Sequence, residues 1–323
     1  MPACRQAGVL RIAYRNENLM IRTISINDTE YPQILKKIHS PPKALYINGS
    51  FKEEDDFAVA IVGSRRASRY GIEMSEKLGY DLALGGVTVV SGMARGIDSA
   101  AHRGALKANG RTIAVMGSGH GHIYPPENKE LYKKIAEAGA VISEFENDVS
   151  PLPRNFPIRN RIISGLTLGI VIVEAAKNSG ALITADFALE QGREVFAVPG
   201  KISSVTSEGT HELIKDGAKL VQGAEDIMEE LGLHEIGPEA DASERELMEE
   251  KISKKTTRYV YNSLSYDERK VYKILSDEPL YIDDVVKESG VESRLASKVL
   301  LVLELKRLIK ELPGKQFIRL RNQ

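Results

Sequence analysis

Between residues 57 and 220 the apolar residues gather in short β-branched runs, each followed by glycine and then by a stretch whose apolar positions recur every three and four. The runs at 57–62, 88–91, 112–116, 140–143, 169–173 and 194–198 read as strands. The stretches at 70–84, 97–108, 127–138 and 181–191 read as helices. Strands apolar on both faces, alternating with helices of this length, predict an α/β fold: a doubly wound, Rossmann-like, mostly parallel sheet with helices on both sides. Ligands of such sheets bind beyond the carboxyl ends of the strands, where the strand-to-helix loops meet.

Beyond residue 261 the pattern changes. It reads as a helix at 265–275, a short strand or turn at 280–282, helices at 283–289 and 292–306, and a hairpin over 309–320 around Pro313-Gly314. Three helices followed by a small hairpin outline a C-terminal winged-helix domain. Between the two patterns, residues 202–257 carry 14 acidic and 6 basic side chains, and after Leu233 the aliphatic period fades into blocks of like charge. The expected organisation is an N-terminal extension and lead-in segment over 1–56 packing on a Rossmann-like domain at 57–232, an acidic linker at 233–260, and the winged helix at 261–323.

Composition narrows the function classes. The 323 residues hold 44 Lys+Arg against 45 Asp+Glu, a formal net charge of -1, with 42% hydrophobic residues. That balance argues against an indiscriminate basic coat or a disordered polyelectrolyte. It leaves room for a confined cationic site, because the acidic 202–257 stretch offsets basic residues elsewhere. The single cysteine, Cys4, excludes an intrachain disulfide and a multi-cysteine zinc site, which points to a reducing compartment. Six scattered histidines form no metal motif, so neither a metal nor another cofactor is expected. No run approaches the roughly 18 apolar residues of a membrane span. Arg5, Arg11 and Arg15 break the apolar character of the first twenty residues, so a secretory signal is not expected either. The expected location is cytoplasmic.

The strand-end loops carry the candidate chemistry. The first, Gly63-Ser64-Arg65-Arg66-Ala67-Ser68, combines close backbone approach, a serine cap, a helix start that favours anions, and an arginine fork for phosphate oxygens. An ordinary strand-to-helix turn is the competing reading. The second runs Ser91-Gly92-Met93-Ala94-Arg95-Gly96 into a helix holding His102, which reads as a hydrogen-bonded helix residue. The third, Gly117-Ser118-Gly119-His120-Gly121, permits tight approach to a base or phosphate. After the fourth strand, residues 151–163 form a loop with one aromatic, Phe156, among Arg154, Arg159 and Arg161 and two asparagines, Asn155 and Asn160. Cations track a phosphate backbone while an aromatic face stacks a base, an arrangement suited to single strands. Alternatively Phe156 plugs the loop onto the core and the arginines pair with Glu144 and Glu146. The fifth loop offers Ser179-Gly180 and Thr184 at a helix start. No G-x-G-x-x-G with a following ribose acid and no G-K-[ST] occurs, which weakens dinucleotide and P-loop readings.

In this order and spacing the motifs resemble the DNA-processing protein A family, DprA, also called Smf. The resemblance spans about residues 31–231. It rests on Tyr31-Pro32, Pro41-Pro42-Lys43-Ala44-Leu45-Tyr46, Gly63-Ser64-Arg65, Ser91-Gly92-Met93-Ala94-Arg95-Gly96-Ile97-Asp98 and Phe156-Pro157-Ile158-Arg159-Asn160-Arg161. It continues through Ser179-Gly180-Ala181-Leu182-Ile183-Thr184, Gln191-Gly192-Arg193, Val198-Pro199-Gly200 and Gly209-Thr210. The resemblance implies an extended Rossmann fold that binds single-stranded DNA, protects incoming strands and helps load a RecA-type recombinase in natural transformation, as a homodimer and without catalysis. It implies Arg65 as the main phosphate contact and Phe156 as the aromatic of the base pocket. Arg159, Asn160 and Arg161 match the motif that shapes the groove. Two departures stand out. Pro153 occupies a position where the family commonly has a basic residue, leaving Arg154 as the nearest cation. The roughly 30 residues before Tyr31 are too few for the helical domain that opens many members.

Two other readings have their own signals. A nucleotide-processing enzyme of the lysine-decarboxylase-like phosphoribohydrolase kind would use Glu144 or Glu174 on a glycosidic bond, but 198–201 lacks its P-G-G-x-G-T loop. A duplex reader would rely on the helix at 292–306, where Arg294, Lys298 and Lys306 sit beside Glu292 and Glu304.

Overall fold

A computed structural model describes residues 20–233, 264–276, 278–305 and 308–320. The expected linker at 233–260 falls almost wholly outside these residues, as do Lys306 and the first 19 positions.

Nine strands form one sheet in the order β1-β2-β6-β5-β4-β3-β7-β8-β9. The strands β3 (Ala58–Val62), β4 (Thr88–Ser91), β5 (Thr112–Val115), β6 (Ala140–Ser143), β7 (Gly169–Ile172) and β8 (Glu194–Ala197) fall where the apolar runs predicted them. They are parallel, as is the short β9 (Lys219–Leu220) on the edge. Their hydrophobicity has a simple origin. Along β3, Ala58, Ala60 and Val62 enter one core and Val59 and Ile61 the other, so no position faces water. One face is covered by α1 (Gln33–Lys36), α5 (Asn155–Gly165) and α6 (Gly180–Glu190), which contribute Leu35, Ile162 and Ala185. The other is covered by α2 (Arg69–Leu84), α3 (Ile97–Lys107) and α8 (Ala224–Glu230), with Leu82, Ala101 and Ile227. The amphipathic α4 (Lys129–Ala138) buries Tyr132 and Ile135 near β6, and α7 (Glu208–Lys215) flanks β8.

The pattern left two things unread. The lead-in segment supplies β1 (Arg22–Ser25) and β2 (Ala44–Gly49), an antiparallel pair that extends the sheet beyond β6. The expected loop at 151–163 is corrected: from Asn155 onward it is α5. Pro157 obscured it, but proline is the third residue of the helix, where the backbone N–H has no intrahelical acceptor to lose.

The remaining described residues form the winged helix. Helices α9 (Tyr266–Ile274), α10 (Ile282–Ser289) and α11 (Ser293–Leu305) pack with a three-stranded sheet ordered β10 (Leu280–Tyr281), β12 (Gln316–Arg319), β11 (Ile309–Leu312). A capping box starts α9: Ser265 N–H donates to Glu268 at 2.7 Å, and Glu268 N–H returns to Ser265 Oγ. Val271, Leu275, Leu300, Leu303 and Phe317 close a separate small core.

Candidate nucleic-acid interface

Strand order reverses between β3 and β7: β4, β5 and β6 lie to one side, β8 and β9 to the other. The crevice beyond the carboxyl ends of these two strands is the expected ligand position of a doubly wound sheet. A cleft of about 600 Å³ lies there, between the loop after β3, the start of α5 and the start of α6.

The loop after β3 is pinned from below. Ser64 N–H donates to the Glu174 carbonyl at 2.8 Å, and Ser64 Oγ accepts from Arg66 N–H. Gly63 packs against Ile97 and the Glu174 backbone, with no room for a Cβ. Arg65 is exposed, and its guanidinium stands 4.8 Å from the centre of the Phe156 ring. An exposed cation–π contact of this kind is worth about 0.5–1 kcal/mol, enough to orient the side chain and too little to lock it.

Phe156 is the second residue of α5 and is held by what lies around it. Its ring edge fills the space a Cβ on Gly117 would need, at 2.8 Å. Tyr124 lies beside it, ring centres 5.7 Å apart and tilted by 54°. The one aromatic of the 151–163 segment is thus joined in the cleft by a second from another loop. Tyr124 lines the same cleft and is the residue that sequence reasoning missed. Its signal was present: an aromatic followed by Pro125-Pro126 in the loop after a predicted strand.

Arg159 lines the floor of the cleft and is only 3% exposed. Its guanidinium donates to the carbonyls of Gly92, at 2.8 Å, and Val115. Burial brings its pKa down to about 10, against the supporting charge of Asp98, so it stays protonated at neutral pH. Burial likewise raises the Asp98 carboxyl, opposed by Arg159 and by N–H groups of Ala94 and Gly92. Asn160 Nδ2 donates to the Gly180 carbonyl at 3.3 Å, tying α5 to the start of α6. There Ser179 caps the helix through Ala181 N–H, Thr184 is buried in the wall, and open space surrounds the Cα of Gly180. No carboxylate seals this helix start among the described residues, and its dipole favours an anion there.

The start of α2 differs. The Glu174 carboxylate already occupies it, accepting from Ser68 N–H (2.8 Å), Ser68 Oγ (2.6 Å) and Thr206 Oγ1 (3.1 Å). The second candidate acid, Glu144, is held by Arg161 at 2.5 Å, with both side chains largely buried. Arg161 does not line the cleft, and neither does Arg154, which is exposed at the N-cap position of α5. Ser118 and Gly119 also point elsewhere. Ser118 Oγ donates to the His122 carbonyl, and Gly119 packs on the backbone of Glu146 and Asn147. Arg95 sits at the rim, bound to Glu127 and 5.9 Å from the Tyr124 ring. His102 is buried with Nδ1 on Thr112 Oγ1 at 2.7 Å, the helix role expected for it. In the winged helix, α11 exposes Arg294 and Lys298 beside Leu295 and Leu301, with the exposed Glu292 just before its start.

A switch-point cleft lined by the buried Arg159, the exposed Arg65 and Arg66 and two mutually tilted aromatics, on a doubly wound sheet accompanied by a winged helix, defines a Rossmann-like protein with a cationic, aromatic ligand cleft. Comparison with known proteins narrows it. The chain belongs to the DNA recombination-mediator protein A family, DprA/Smf, whose family model matches residues 22–232, with a DprA winged-helix model matching 260–315. Protein Smf of Escherichia coli is 42% identical over 294 residues, covering 90% of this chain and 75% of that protein. DNA processing protein DprA of Bacillus subtilis is 43% identical over 220 residues, 68% and 73% of the two chains. Among solved structures, DprA from Streptococcus pneumoniae superposes with a TM-score of 0.61 at 42% identity, over 65% of this chain and 74% of that one. DNA processing protein A from Helicobacter pylori, described for its single-stranded DNA binding mode, gives a TM-score of 0.61 at 30% identity, over 68% and 99%. No helix among the described residues is long and apolar enough to cross a membrane.

Proposed function

We propose that this protein binds single-stranded DNA in the cleft at the β3–β7 switch point and acts without catalysis as a recombination mediator. In this reading Arg65 and the open start of α6 take phosphates, Phe156 stacks an unpaired base, and Arg159 fixes the floor and lends it positive charge. The observation that carries it is the exposed Arg65 guanidinium over the Phe156 ring at the mouth of the cleft. Only a base freed from its partner and its neighbours presents a whole face to such a ring, which favours single strands over duplex.

The disposition of the two acids supports binding over chemistry. Glu174 is spent on the start of α2 and Glu144 on Arg161, so neither stands free to act on a glycosidic bond. Membership of a recombination-mediator family supports a further step, in which the protein protects the strand and helps place a RecA-type recombinase on it during transformation or recombination. We further infer a cytoplasmic homodimer, with 57–232 and 261–323 as separate units joined by the acidic 233–260 stretch.

The test is a salt titration of binding to oligothymidine and to duplex DNA. Single strands should bind more tightly throughout. Arg65→Ala should weaken binding about tenfold and flatten the salt slope by about 0.7, the value for one phosphate contact on a single strand. Equal affinity for duplex, or an Arg65→Ala protein with unchanged affinity and slope, contradicts the reading.

A further inference from the structure

Tyr124 and Arg95 repeat, one position along, the arrangement of Phe156 and Arg65. Each aromatic partly faces the cleft or its rim, and each has its own guanidinium, at 5.9 and 4.8 Å from the ring centre. The two rings are neighbours, 5.7 Å apart and tilted by 54°. Both members of the second pair stand on braced backbone. The loop carrying Tyr124 is fixed by Ser118 Oγ to the His122 carbonyl (2.7 Å), Gly121 N–H to the Asn147 carbonyl (2.9 Å) and Gly119 N–H to the Val149 carbonyl (2.8 Å). Just beyond it, Asn128 reaches across to the Arg95 loop, donating to the Met93 carbonyl and to Ser99 Oγ, both at 2.8 Å. The glycines and polar groups of this loop are thus used to place Tyr124.

We propose that Tyr124 and Arg95 form a second nucleotide position next to Phe156 and Arg65, so that two consecutive bases of one strand are held, splayed apart, on the two rings. This rests on the single-strand reading of the cleft. Along one strand of a stacked duplex, successive units rise by about 3.4 Å. Rings 5.7 Å apart and tilted by 54° match no parallel stack, and a strand must unstack a base step to use both. Each base so held is worth enough stacking that its loss costs roughly fivefold to a hundredfold in affinity.

The second position carries its own competitor. Glu127, three residues beyond Tyr124, holds the Arg95 guanidinium through two contacts, in an ion pair with both side chains about half exposed. Exposed pairs of this kind are weak, so a strand phosphate can replace the carboxylate. Removing the carboxylate charge should then strengthen DNA binding, an effect no folding defect would produce.

The experiment measures binding of oligothymidine to the full-length protein at 50 and at 200 mM salt. Tyr124→Ala should weaken binding about tenfold or more, and Tyr124→Phe, which keeps the ring, should restore it to within about threefold of the parent. Arg95→Ala should weaken binding severalfold, and Glu127→Gln should tighten it severalfold at the lower salt, with the gain shrinking at the higher. If Tyr124→Ala, Arg95→Ala and Glu127→Gln all bind as the parent does while Phe156→Ala loses affinity, the second position is overturned and the first stands. Tyr124→Phe as weak as Tyr124→Ala overturns stacking as its basis. If Phe156→Ala and Arg65→Ala also bind normally, the cleft reading itself fails and takes this extension with it.

Discussion

Arg65 and Arg161 each stand in a short basic motif, one just after β3 and one within α5, yet the structure puts them to opposite uses. Arg65 is exposed, rests against an aromatic face and forms no ion pair with a carboxylate among the described residues. Arg161 is largely buried and bound to Glu144 at 2.5 Å. Arg159, two residues away on the same helix, is spent on two backbone carbonyls and the field of Asp98. A cation near a strand end is available to a ligand when it is exposed and no buried carboxylate or carbonyl set holds it; an exposed pair such as Arg95 with Glu127 can still be exchanged. The same contrast separates the two helix starts, α2 sealed by Glu174 and α6 left open.

That contrast breaks if the held arginines turn out to govern binding alone, or the exposed ones stability. The largest effect is expected at Arg159. Arg159→Ala leaves two buried carbonyls unpaired and Asp98 without its counter-charge, costing about 3 kcal/mol, which thermal unfolding reads as a clear drop in melting temperature. Acid tests the braced loop in a similar range. His120 is buried, with Nε2 donating to the Tyr46 carbonyl at 2.8 Å and Nδ1 at the Tyr132 hydroxyl at 2.7 Å. Burial lowers its pKa from 6.5 to about 4, and that of His102 to about 3. Because these folded-state values lie below the unfolded one, the native state binds fewer protons. The stability they confer is complete above about pH 6.5 and drains away as pH falls towards 4 and then 3. Melting measured from pH 7.5 to 4 should fall, and less steeply in His120→Gln.

Arg161→Ala comes next. Stranding Glu144 in a largely buried site should cost about 2 kcal/mol, with affinity for oligothymidine kept within about twofold. Smallest of all is Arg154→Ala, exposed and outside the cleft, expected to shift neither melting by more than about 0.5 kcal/mol nor affinity by more than about twofold. Strong loss of binding in Arg161→Ala without unfolding would erase the distinction between held and available cations, and the same loss in Arg154→Ala would extend the binding surface beyond the cleft.

The parallel strands were legible because their signal is strong: five-residue runs such as 58–62 are apolar throughout, as burial on both faces demands. The antiparallel pair β1 and β2 was not, since its burial alternates over four to six residues among prolines and charges. Pro157 hid α5 because local propensity sees a helix breaker and not its position in the first turn. At the site, Arg65, Phe156, Asn160 and the 179–180 helix start, singled out loop by loop in the sequence, line one cleft. What no motif reveals is pairing across the fold. Ser68 finds Glu174 106 residues on and Tyr124 meets Phe156 from a different loop, whereas the pairing of Arg161 with Glu144 was one of the two alternatives the sequence offered for these arginines.

The central claim is that an unpaired base sits on Phe156 at the β3–β7 switch point. Oligothymidine carrying one 5-iododeoxyuridine, irradiated on the full-length protein and mapped by peptide sequencing, tests it most directly. The account predicts an adduct at Phe156 that Arg65→Ala diminishes and unlabelled oligothymidine competes away. Adducts confined to residues 264–320, with none in the cleft, would contradict it.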